Sequence, residues 1–212
     1  INYIEGIMTN DDASTTTPSN DRDRPVLQVI VGSTRPGRIG RSFAEWIERI
    51  ATDHGDFTVE MVDLADVALP FLDEPNHPRL AQYTHQHTRD WSATISRADA
   101  FILVTPEYNH SYNAVLKNAI DFLHNEWKHK AVCFLSYGGV SAGTRAMQAL
   151  EPVVLSVGMA PVASAVTVPF AAQFLDDDGV VQPNEIMTAS AKTMLDDLAA
   201  QTAALATRRA AI

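Results

Sequence analysis

Between Gly32 and Arg41 the chain reads Gly-Ser-Thr-Arg-Pro-Gly-Arg-Ile-Gly-Arg. Hydroxyls, guanidinium groups and glycines at this density suit the holding of a phosphate. Arginine forks match an oxyanion, and glycine lets backbone N–H groups come close to it. The plainer reading is a solvated turn with surface arginines. Position and composition together favour the cradle, with two hydroxyls and three arginines as its donors. The stretch is neither a Walker loop nor G-x-G-x-x-G, which argues against ATP hydrolysis and an ordinary dinucleotide site. A second stretch, Thr-Pro-Glu-Tyr-Asn-His-Ser-Tyr-Asn over 105–113, combines a stiff proline with aromatic faces and turn-tolerant asparagines. It suits the wall of a planar ring, and equally a helix entry capped by Asn113 or Ser111. A third, Ser136 to Gly143, has two adjacent glycines that admit a ligand close to the backbone. It also matches G-x-S-x-G at Gly139–Gly143. All seven histidines precede Ser141, the wrong chain order for that hydrolase arrangement.

These stretches need elements to bring them together. Short apolar runs at Val26–Val31, Phe57–Val62, Ala100–Thr105, Ala131–Ser136 and Pro161–Val168 predict five strands. Segments of helical period separate them, as at Ile39, Phe43, Ile47 and Ile50, and again at Val115, Ala119, Phe122 and Leu123. Alternation of strands and helices predicts a parallel sheet. The second and fifth runs alternate apolar with polar residues and belong at the edges. The other three are nearly continuous and belong in the centre. The expected fold is therefore α/β, a flavodoxin-like doubly wound five-stranded parallel sheet of order 2-1-3-4-5 with helices on both faces. Its ligand crevice lies at the carboxyl ends of strands one and three, where the order reverses. Residues 184–207 predict a covering helix with Ile186, Met194, Leu195, Leu198 and Leu205 along its apolar stripe.

Composition bounds the rest. The 212 residues are 46% hydrophobic and 20% charged, with 16 Lys and Arg against 26 Asp and Glu for a net charge of −10. That balance argues against a protein that grips nucleic acid. No apolar run approaches the roughly 20 residues of a membrane span. Cys133, the single cysteine, excludes an intrachain disulfide. A cytoplasmic location is the default expectation. Residues 1–24 are polar and are expected to be disordered, with no secretory signal, Met8 as the natural start and residues 1–7 as a cloning remnant. Residues 25–212 are expected to form one domain.

The three loops together resemble the NADPH-dependent FMN reductase family, whose members include quinone, azo-dye and chromate reductases. The matching pieces are Gly32 to Arg38, Pro106 to Asn109 continuing to Leu116-Lys117-Asn118-Ala119-Ile120-Asp121, and Ser136 to Gly139. The resemblance implies FMN as cofactor and NADPH or NADH as co-substrate. It implies that Ser33, Arg35 and the backbone of Arg38, Ile39 and Gly40 hold the FMN phosphate, with Thr34 nearby. Pro106, Glu107, Tyr108 and Asn109 would line the ring edge, and Ser136, Tyr137, Gly138 and Gly139 would flank it. It further implies a homo-oligomer, dimer or tetramer, and ping-pong transfer of hydride to FMN and then of two electrons to a small-molecule acceptor. The acceptor would be a quinone, azo compound, metal oxyanion or the like, with no side chain acting as nucleophile or base. The alternative is a flavodoxin-type electron carrier that does not use nicotinamide; the arginine-bearing first loop argues against it.

Other features carry plainer expectations. His85 and His87 lack an evident third ligand, so no metal site is expected. Cys133 and the three tryptophans are packing residues, with Trp127 a candidate for the pocket rim. Lys117 and Asp121 are spaced to pair. Residues 66–90 form a long connection that the resemblance places beside the substrate pocket, of this or a neighbouring subunit. Pro152 is expected to kink or end the helix after the third loop.

Overall fold

The computed structural model describes residues 24–211; the expectations for the N-terminal segment lie outside them, Arg24 apart. Strand β1 is Val26–Val31, β2 Thr58–Asp63, β3 Ala100–Pro106 and β4 Ala131–Tyr137. Two short strands follow, β5 Ala160–Pro161 and β6 Val166–Val168. All pairings are parallel, in the order β2-β1-β3-β4-β5, with β6 also on β4. The doubly wound order read from the sequence is present. Its cause is visible in burial: β3 and β4 are buried throughout, while β2 at the edge is half-buried over most of its length.

Side chains of the central strands alternate between two cores, as the pleat requires. Ala100, Ile102 and Val104 face helices α1 (Gly40–His54) and α6 (Glu185–Arg209). Phe101 and Leu103 face α3 (Gln86–Ser96), α4 (Ala114–Asp121) and α5 (Thr144–Ser156). A short α2, Leu64–Val67, follows β2 directly. Cys133 is fully buried and burial pushes its thiol pKa up, in keeping with a packing role.

Four expectations need correction. The fifth strand is broken. Val132 pairs with Pro161 and Leu135 with Val166, so four residues lie between the paired positions where β4 has two; Val162 N–H still donates to the Val132 carbonyl at 3.0 Å, and the chain leaves the ladder over 163–165. Of the two outcomes expected at Pro152, an end to the helix is ruled out, because the residue lies inside α5. Trp127 is no rim residue: it packs edge-on against Phe101 and Trp91 and its indole N–H donates to the Ile120 carbonyl at 3.1 Å. Ile186 is 75% exposed, because Met187, one residue on, takes the inward place with Ala191, Met194, Leu195 and Leu198.

Candidate active site

The loops after β1, β3, β4 and β6 meet at the carboxyl ends of the strands and enclose a cavity of about 510 Å³. Of the residues singled out from sequence, Ser33, Arg35, Arg38, Ile39, Pro106, Glu107, Tyr108, Tyr137 and Gly138 line it. Cavities of like volume occur elsewhere; the lining, and not the size, distinguishes this one.

The first loop delivers the chain into α1. Its N-cap residue, Ile39, makes no side-chain cap, and no acidic residue stands in the first turn. The leading N–H groups of such a helix have no intrahelical acceptors, and with the helix dipole they form a seat for an anion. Gly40 keeps the seat closed from behind: a Cβ there would collide with the Tyr137 hydroxyl. Tyr137 in turn stacks on Phe43 with ring centroids 5.4 Å apart. Burial drives the Tyr137 pKa well above the ordinary phenol value, against a hydrogen bond from Ser33 and the charges of Arg35 and Arg38. It is a neutral hydroxyl at physiological pH. Ser33 lies 3.1 Å from the Tyr108 hydroxyl, so three hydroxyls converge beside the seat.

The arginines divide. Arg38 donates through Nη1 to the Ser33 carbonyl at 2.9 Å and through Nη2 to Asp63 at 2.6 Å. Arg41 donates to Asp63 at 3.1 Å and to Glu45 at 2.8 Å. Arg35 is exposed, lines the cavity and forms no ion pair among the described residues. Asp63 went unnoticed in the sequence. It ends an edge strand 25 residues from Arg38, and no local pattern links the two.

The second loop is a tight hairpin. Tyr108 and Ser111 exchange backbone hydrogen bonds of 2.9 and 3.0 Å, with Asn109 and His110 both at positive φ. That suits asparagine; Asn109 is not among the residues that line the cavity. Asn113 caps α4 through Leu116 N–H at 3.0 Å. Glu107 reaches the start of α5, where its carboxylate accepts from the Arg145 guanidinium at 2.7 Å and the Arg145 N–H at 3.3 Å. Burial would raise its pKa, but the hydrogen bond from Ser141, those from Arg145 and the Arg145 charge outweigh it and hold the carboxyl below its ordinary range. Ser141 is thus one of the donors that keep Glu107 ionised.

The third loop is built on contact. Gly143 has φ +79°, and a Cβ there would lie 2.6 Å from Tyr137 N. The carbonyls of Gly138 and Gly139 accept from Ala171 and Phe170 N–H at 3.1 and 3.0 Å, drawing in a fourth loop that the sequence reading missed. Phe170, Ala171, Ala172 and Gln173 complete the wall. Phe170 is 56% exposed at φ 46°, and the only signal for it was a Pro-Phe pair after an alternating strand. Thr34, Gly40, Asn109, Ser136 and Gly139 stand behind or beside the lining. Ser136 is fully buried, its hydroxyl donating to the Ala142 carbonyl at 3.1 Å.

The 66–90 connection does not line this cavity. Asn118, from the Leu-Lys-Asn-Ala-Ile-Asp stretch, grips it through Pro70 O at 2.7 Å and Leu72 N–H at 3.0 Å. Lys117 and Asp121 pair at 2.6 Å. The His85 and His87 rings stack 5.2 Å apart, and His87 meets Asp73 at 2.9 Å.

A doubly wound sheet with an anion seat and an aromatic wall over its strand ends defines a flavodoxin-like protein. The pattern of the NADPH-dependent FMN reductase family matches residues 26–173, and the chain belongs to that family; it is an oxidoreductase of a kind that uses NAD(P)H and FMN. An NAD(P)H-dependent FMN reductase of Schizosaccharomyces pombe is 40% identical over 149 residues, 68% of this chain and 74% of that protein. An FMN-dependent NADPH-azoreductase of Staphylococcus saprophyticus is 27% identical, over 80% of this chain and 91% of that protein. Among solved structures, the flavoenzyme NAD(P)H:(acceptor) oxidoreductase FerB of Paracoccus denitrificans has a TM-score of 0.69 at 22% identity, covering 84% of this chain and 98% of that one. This last likeness speaks to the fold. Among the described residues no helix is long and apolar enough to cross a membrane.

Proposed function

We propose that the protein is an NAD(P)H-dependent FMN oxidoreductase that reduces a small-molecule acceptor by two electrons. One observation carries this reading. The uncapped N-terminus of α1 and the exposed Arg35 open into the same cavity that Pro106, Tyr108 and Tyr137 wall with apolar surface. A ligand with a phosphate at one end and a flat ring at the other meets both. The residues present therefore fit FMN. Ser33, Thr34, Arg35 and the backbone of Arg38, Ile39 and Gly40 would hold its phosphate; Pro106 to Asn109 and Ser136 to Gly139 would border its ring. Bound there, FMN supplies the two-electron chemistry, taking hydride from reduced nicotinamide and passing electrons to the acceptor.

The chain's own groups bind and orient. The α1 seat and Arg35 would neutralise phosphate charge, and Glu107 ties the second loop to the start of α5 through Arg145. Phe170 and Tyr108, which line the cavity, would cover part of the ring. Quinones, azo compounds and metal oxyanions are the acceptor classes that suit this cavity. Nicotinamide and acceptor use it in turn, so initial rates at several acceptor concentrations give parallel double-reciprocal lines; intersecting lines would overturn the shared site. We further read residues 25–212 as one cytoplasmic FMN-binding domain that works as a homo-oligomer.

A further inference from the structure

We infer that Asp63 is a positioning residue of the phosphate cradle. It holds Arg38 and Arg41 in place, so that the loop from Gly32 to Ile39 keeps the shape in which Arg35 and the start of α1 face a single anion. The inference rests on the FMN reading above and deepens it.

Asp63 is the last residue of β2 and only 5% exposed. Its carboxylate is fully engaged. Oδ1 accepts from Ala65 N–H at 3.0 Å and caps α2; Oδ2 accepts from Arg38 at 2.6 Å and Arg41 at 3.1 Å. Arg38 then reaches on to the Ser33 carbonyl at 2.9 Å. A strut of charge-assisted bonds thus runs from the sheet edge, through Arg38, to the far side of the loop. Backbone bonds hold this loop at Gly32, to Val104 at 2.9 Å, and across the turn from Arg38 to Arg35 at 3.0 Å. Between these points the strut sets its shape.

Two effects of the carboxylate oppose each other. Its negative field disfavours a nearby phosphate. Its bonds pre-organise the loop that receives one, which removes an ordering cost from binding. Neutralising Asp63 separates the two. A residue acting through its field alone would, on neutralisation, let FMN bind more tightly. A strut, on neutralisation, loosens the loop and weakens FMN, and leaves untouched a flavin that has no phosphate.

The test uses the full chain stripped of flavin, as wild type and Asp63→Asn. Amide hydrogen exchange is read over residues 33–41, with α6 as the internal reference. Titrations with FMN and with riboflavin follow. Loss of charge-assisted bonds of this kind corresponds to about tenfold in an equilibrium constant or more. The strut predicts loop exchange about tenfold faster with α6 unchanged, an FMN Kd raised about tenfold, and a riboflavin Kd within about twofold of wild type. Unchanged loop exchange overturns it. So does FMN bound equally or more tightly, or an equal weakening of both flavins. Arg38→Gln cuts the strut at its other end and must reproduce the exchange change, which decides the matter if Asp63→Asn does not fold. Wild-type protein that binds no FMN would sink the cofactor reading, and the exchange experiment would still judge the strut.

Discussion

Gly40 and Tyr137 form a fitted pair. The glycine has no room for a methyl group because the tyrosine hydroxyl occupies it, and the tyrosine is fixed there by Phe43 and Ser33. Gly40→Ala should therefore cost about 1–3 kcal/mol, the usual range for overpacking, and lower Tm by several degrees. Adding Tyr137→Phe should restore most of the loss, since a ring carbon at 3.2 Å becomes the nearest atom. A double variant no more stable than Gly40→Ala alone would contradict the packing. At this scale the sequence was partly legible. Ser33, Arg35 and Pro106 to Tyr108 announced themselves by residue type beside strand ends. Asp63 and Phe170 did not. An aspartate after a strand looks like an ordinary helix cap, which it also is, and phenylalanine is a poor guide to a left-handed turn. The resemblance assigned the backbone of Arg38 to the phosphate; sequence carries no sign that its guanidinium is tied to a carboxylate at the end of β2.

Among the elements, the connection from β2 to α3 is held by side chains where regular structure is sparse. Glu74 accepts from Thr84 N–H at 2.8 Å, Thr84 Oγ1 at 2.7 Å and His85 N–H at 3.0 Å. Burial would raise its pKa, but these bonds prevail and lower it from 4.5 to about 2. A folded-state value below the unfolded one stabilises the fold above the unfolded value, and the contribution fades as pH falls through the folded one. Exchange protection of residues 72–85 should thus be higher in wild type than in Glu74→Gln at neutral pH. The difference should hold down to about pH 4.5 and close toward about pH 2. A difference independent of pH across that window would contradict the assignment. The break between β5 and β6 was not legible, because the alternation of Val162 to Val168 fits a continuous edge strand. Only the register against β4 reveals two surplus residues.

For the whole molecule, the layer arrangement was the most legible feature, for a physical reason. Strands covered on both faces must be apolar throughout, so burial ranks the strands from centre to edge and restricts their order. That order sends the loops after β1, β3 and β4 to one end of the sheet. The cavity forms there, on an otherwise acidic molecule whose exposed Arg35 stands beside an uncapped helix. Assembly was not legible, since it depends on surface complementarity that no single-chain pattern encodes. The central claim is that this end of the sheet binds FMN and passes it electrons from nicotinamide. Its most direct test is the visible absorption spectrum of protein reconstituted with FMN, freed of excess flavin and mixed anaerobically with NADPH. The account predicts flavin bands that stay with the protein and bleach within seconds to minutes. Bands that stay but do not bleach with either nicotinamide would point to an electron carrier, and protein that retains no flavin at micromolar concentration would contradict the account outright.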